Sequence, residues 1–147
     1  MIDAVTEATA VESPTAVILE QTTWEEFPRL WGVLLGEVWE VVRGNEAVAP
    51  GRNVMLYKND CPSVEIGVEA AGSFEPIGRV VPGVLPGGRV ARTTLRGSYA
   101  EIAAAHDAVI RWCDENGLER AGPRWEIYEH ATPDEAQQGV EINYLLR

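Results

Sequence analysis

At 147 residues, 46% of them hydrophobic and 24% charged, the chain has the size and balance of one globular domain with a substantial core. Its formal charge of -11 opposes binding to phosphate backbones and draws cationic molecules toward its surface, so no nucleic-acid partner is expected. No apolar run approaches the ~18 to 20 residues that cross a bilayer, and Cys61, Cys113, His106 and His130 stand at no metal-ligand spacing, so neither membrane, metal nor cofactor is expected.

Residues 1–14 are acidic, rich in Ala and Thr, and lack the basic start and apolar centre of a signal peptide, which predicts a flexible tail on a cytoplasmic protein. Residues 15–22 are β-branched and aliphatic and read as a strand. Thr23 and Glu26 then have capping-box spacing, and Phe27, Leu30, Trp31, Leu34, Val38, Val41 and Val42 recur at helical intervals up to Gly44. Pro28 sits deep in the first turns, so the helix either starts a few residues late or is irregular there. Two strands follow, at 53–59 and 64–70. The Gly- and Pro-rich segment 72–88 reads as a linker holding a short strand near 79–84, and 89–95 as the next strand. Ser98 and Glu101 form a second capping box, Ile102, Ala103, Val109, Ile110 and Cys113 an apolar stripe, and Asn116-Gly117 a left-handed stop, which predicts a helix over 99–116. Strands at 124–130 and 139–146 complete the chain.

This order repeats itself. Gly51 precedes Tyr57 by the same interval as Gly122 precedes Tyr128, and Val-Glu-Ile recurs at 64–66 and 140–142. The expectation is an α+β fold of two pseudo-symmetric β-α-β-β units, about 15–71 and 79–147, on an antiparallel sheet with a ligand groove between the halves.

The second unit carries a more specific pattern: Leu85-Pro86-Gly87-Gly88 entering a strand, Gly97-Ser98-Tyr99 at a helix start, Trp112 near its end, and Glu126-Ile127-Tyr128 on a strand. This resembles the GyrI-like small-molecule-binding family, which also forms the effector-binding domain of multidrug-responsive transcription activators. The resemblance implies an SHS2-type duplication in a stand-alone member, a single domain over 15–147, and a buried Glu126 in the floor of the cleft. Many relatives have a His before the Gly-x-Tyr; this chain has Leu95-Arg96, so that role is not carried over.

Alternation places Glu126 and Tyr128 on one face of their strand, and Met55 and Tyr57 on the matching face of the partner. Rings, a thioether and a carboxylate suit a lipophilic, aromatic or cationic small molecule. Trp24 and Tyr99 occupy equivalent first helical positions, where they either staple the helix or contact ligand. Trp31 and Trp39 on the first helix and Tyr144 on the last strand are further ligand candidates, with core packing as the alternative for each. The family resemblance implies three readings: a binding protein for multidrug sensing or sequestration; a hydrolase opening cyclopropane rings, for which Glu126, Tyr128 and Tyr57 are the available catalytic groups; or an acidic protein-interaction module such as a gyrase modulator.

Overall fold

The computed structural model describes residues 1–130 and 138–147. Its strands are β1 (Thr6–Ala10), β2 (Ser13–Gln21), β3 (Ala49–Tyr57), β4 (Ser63–Ala71), β5 (Val80–Leu85), β6 (Gly88–Arg96), β7 (Arg120–Tyr128) and β8 (Gly139–Leu146). Helix α1 (Phe27–Arg43) joins β2 to β3; a 3-10 turn (Tyr99–Glu101) and helix α2 (Ile102–Glu115) join β6 to β7. All strands lie in one sheet of order β1-β6-β8-β7-β3-β4-β2-β5, antiparallel at every pairing.

The two β-α-β-β units are β2-α1-β3-β4 and β6-α2-β7-β8, and they meet where β3 pairs with β7. Along that seam Asn53 faces Tyr128, Met55 faces Glu126 and Tyr57 faces Arg124. Mapping β3 onto β7 by their shared Gly-to-Tyr spacing exchanges the outer two pairs and returns Met55–Glu126 to itself. The pseudo-dyad therefore runs between Met55 and Glu126.

The flexible tail expected over residues 1–14 is instead structured: Thr6–Ala10 pairs with β6, and Ile2 bridges Leu95. Ala8 and Ala10 pack on a cluster containing Val54, Leu85, Val90 and Trp125, which explains why small residues suffice there. The linker strand β5 pairs with β2. Each unit is thus flanked by the strand that precedes the other unit in sequence.

Both helices cover one face of the sheet. Phe27, Leu34, Val38 and Val42 of α1 pack over the first unit, and Ala105, Val109 and Cys113 of α2 over the second. Pro28 falls at the second helical position, where it removes no helical hydrogen bond, so α1 starts at Phe27 after a turn in which Thr23 Oγ1 accepts from the Glu26 N–H (3.1 Å). In the other unit Ser98 Oγ accepts from Ala100 N–H (3.2 Å), and that first turn winds as a 3-10 helix before α2 begins.

Candidate functional site

Alternation along β3 and β7 sends Val54, Leu56, Trp125 and Ile127 into the cluster on one face, and Met55, Tyr57, Glu126 and Tyr128 toward the helices. Glu126 stands on the pseudo-dyad and is only 3% exposed. One of its oxygens, Oε1, accepts from both Tyr57 and Tyr128 hydroxyls at 2.9 Å each. These phenols occupy equivalent positions of the two units, so a carboxylate on the axis is reached by both. Its Oε2 lies 2.6 Å from His106 Nε2, and His106 Nδ1 lies 2.6 Å from the Tyr144 hydroxyl. A neutral imidazole with its proton on Nε2 donates to Glu126 and accepts from Tyr144, which satisfies every member of the chain.

Burial, followed by the Glu126 charge, pushes the Tyr57 and Tyr128 phenols well above their ordinary range. Burial raises Tyr144 to about 12, against the opposing pull of Arg124. All three phenols are therefore neutral hydrogen-bond donors at physiological pH, not bases.

A cavity of about 540 Å³ opens above this floor. Phe27, Pro28, Trp31 and Leu35 of α1 form one wall, and Tyr99 and Ile102 at the start of the second helical segment form the other. Asn53 and Glu129 close one end; Asn53 Oδ1 accepts from the Trp39 indole N–H at 2.7 Å, and Arg52 holds Glu129 at 2.7 Å. The volume lies in the range of small-molecule sites, and its walls are mostly aromatic and aliphatic.

Of the residues singled out from sequence, Glu126, Tyr57, Met55, Tyr128, Trp31 and Tyr99 line this cavity. Trp24 does not: its ring packs on Phe27 and Tyr57, and the Arg124 guanidinium lies 5.8 Å over its face, so a cation of the protein itself occupies that surface. Trp39 acts one step back, fixing Asn53 through its indole. Tyr144 lies behind the wall, touching the site only through His106. His106 is the member that sequence reasoning missed. Its signal was available: if Trp24 and Tyr99 are equivalent, then so are Trp31 and His106, and a residue matching a groove-facing Trp faces the groove too. Asn53 and Glu129 were also missed, being polar positions on strands read for their apolar partners.

Comparison with solved structures yields the same fold. The C-terminal domain of EcmrR is 15% identical, with 97% of this chain and 96% of that domain covered at a TM-score of 0.79. Against EcmrR in its complex with DNA the TM-score is 0.80, but the chain spans only 57% of that protein's length. SAV2435 bound to tetraphenylphosphonium is 11% identical, with 99% and 94% covered and a TM-score of 0.75. A hydrolase encoded by lin2189 from Listeria innocua is 8% identical, with 98% and 92% covered and a TM-score of 0.64. No curated protein matches the chain. The model of the GyrI-like small molecule binding domain matches residues 55–147, from Met55 on the seam strand β3 through β4, β5 and the whole second unit, and the chain belongs to that family.

Proposed function

We propose that the cavity takes a lipophilic aromatic cation and that the protein senses or sequesters such molecules in the cytoplasm. The observation that carries this reading is Glu126: a carboxylate withdrawn from water at the bottom of an aromatic cavity, hydrogen-bonded by two neutral phenols and one imidazole, with no Lys or Arg bonded to it among the described residues. With His106 neutral the cluster keeps one net negative charge. A partly desolvated carboxylate gains most from a guest that brings positive charge without needing water, and Trp31, Tyr99 and Phe27 offer ring surfaces to its apolar body. SAV2435, which shares the fold, was solved with tetraphenylphosphonium, a cation of this class.

Titration calorimetry with tetraphenylphosphonium and tetraphenylborate tests this, because the two share shape and hydrophobicity and differ in sign. The cation should bind at least about 100-fold more tightly, close to 3 kcal/mol. Equal affinities would leave only hydrophobic burial to explain binding.

The contact between His106 and Glu126 supports a second reading, a hydrolase in which Glu126 activates water and Tyr57 or Tyr128 protonates the leaving side of a strained ring. Both phenols are protonated and reach the same carboxylate oxygen, while burial makes each a weaker proton donor than a free tyrosine. Incubation with a cyclopropanoid compound followed by product analysis separates the two, since sequestration returns the compound unchanged. An acidic protein-interaction module needs no cavity, and the 540 Å³ site weighs toward the first two readings.

A further inference from the structure

The duplication that builds the ligand cavity also builds a counterpart to it. Leu35 and Asn53 line the first cavity; their equivalents under the pseudo-dyad, Ile110 and Arg124, line a second of about 500 Å³. The two have diverged in chemistry. The first is apolar with a carboxylate at its floor, whereas the second is edged by Arg120, Arg124, Asp60 and Asp114, with Arg124 held by Asp60 at 2.8 Å. One chain of hydrogen bonds joins them: Glu126 lines the first cavity, His106 bridges Glu126 to Tyr144, and Tyr144 lines the second.

We propose that His106 holds a proton that competes with the lipophilic cation for Glu126, so that cation binding expels the proton through Tyr144 into the second cavity. This rests on the cation reading of the site. With a neutral imidazole the Glu126–His106 pair carries one negative charge and attracts the cation; with an imidazolium it carries none. Protonated His106 donates from both nitrogens, to Glu126 and to the Tyr144 oxygen. When a cation reaches Glu126, the Nδ1 proton passes to Tyr144 while the Tyr144 hydroxyl proton passes to water in the second cavity. The products are a neutral imidazole, an unchanged phenol and one released proton.

The groups that face His106 fit this role. Glu126 and Tyr128 come from β7, Tyr144 from β8, and Tyr57 from β3 with its ring 6.5 Å away. Arg124 lies over the Tyr57 ring at 5.9 Å. Asp107 and Arg120 act on Tyr144 with opposite signs. The three phenols stay protonated across the physiological range, so the proton that moves in this proposal is the one held along the Glu126–His106–Tyr144 chain of contacts.

Tetraphenylphosphonium carries a permanent charge, so any proton released on its binding comes from the protein. Calorimetry between pH 5.5 and 8, in two buffers of different ionisation enthalpy, should show affinity falling toward tenfold per pH unit at the acid end, with up to one proton released per cation. His106→Gln keeps a donor for Glu126 and an acceptor for Tyr144 but holds no such proton; its binding should be independent of pH and without release. Tyr144→Phe should keep the stoichiometry but slow dye-detected proton release at least about tenfold. Wild-type binding that is independent of pH and releases no proton overturns the proposal and leaves the cation reading standing; absence of binding at every pH overturns both. A ligand-free measurement stands apart from either: in imidazole NMR, with His106 assigned through His106→Gln, Glu126→Gln should lower the protonated fraction of His106 at pH 6 several-fold. An unchanged fraction overturns the competition.

Discussion

Glu126 and its partners turn a strand position into a charged anchor without exposing it to water. Two phenols share one carboxylate oxygen because the carboxylate lies on the axis that relates them, and the position across that axis is Met55, which brings no competing charge. Were both axis positions acidic, two buried carboxylates would face each other and one would have to stay protonated. The state of the phenols has a measurable consequence. Tyr57, Tyr128 and Tyr144 have folded pKa values above the ordinary ~10 of an unfolded tyrosine. The folded state thus holds their protons more tightly, and their contribution to stability is complete below about pH 10 and is lost as pH rises toward the folded values, about 12 for Tyr144. Absorbance at 295 nm should therefore show these three ionising together with alkaline unfolding, in a step that Tyr57→Phe reduces by one group. Smooth independent ionisation of all tyrosines near pH 10 in the folded protein would show that the cluster is open to water.

The elements meet by close backbone approach as much as by side-chain packing. At Gly67 on β4 any Cβ would overlap the Ala16 carbonyl oxygen of β2. Gly67→Ala should cost at least about 2 kcal/mol in urea unfolding, toward the upper part of the range for overpacked cores; a loss below 0.5 would mean that β2 moves aside freely. Most strands were legible as short β-branched and aliphatic runs bounded by turn residues, and in β2, β3, β4 and β8 the buried residues run consecutively: β8 falls at the residues expected, and the other expected strands lie within a few residues of theirs. The helix starts were half legible. Thr23 closes the turn before α1 and Ser98 caps the 3-10 turn before α2, but neither α-helix has a side-chain cap at its own first residue, and Pro28 and the 3-10 turn decide where each begins. β1 was not legible at all. Its Thr and Ala residues give little local signal, and what orders them is β6, more than seventy residues further along the chain. His106 escaped for a different reason: weighed alone it is an unremarkable helical histidine, and only the Trp31 equivalence gives it a direction.

Across the whole molecule, the duplication explains why the aromatic cavity exists and where it lies. Two similar units joined along β3 and β7 leave a groove beneath their helices, and divergence of the two copies filled one end with rings and the other with paired charges. A net charge of -11 attracts cations to any part of this surface, so the account must separate that diffuse attraction from one buried carboxylate. Replacing Glu126 and Glu119 in turn does so, because each change removes one formal charge, the first 3% exposed and the second on an open side chain whose ion pair among the described residues is with Arg147. The measurement is calorimetric titration of tetraphenylphosphonium into wild type, Glu126→Gln and Glu119→Gln. Loss of the buried carboxylate should weaken binding by roughly 1.5 to 3 kcal/mol, and loss of the surface one by well under 1. Equal losses in the two variants would contradict the central claim and assign the binding to surface charge.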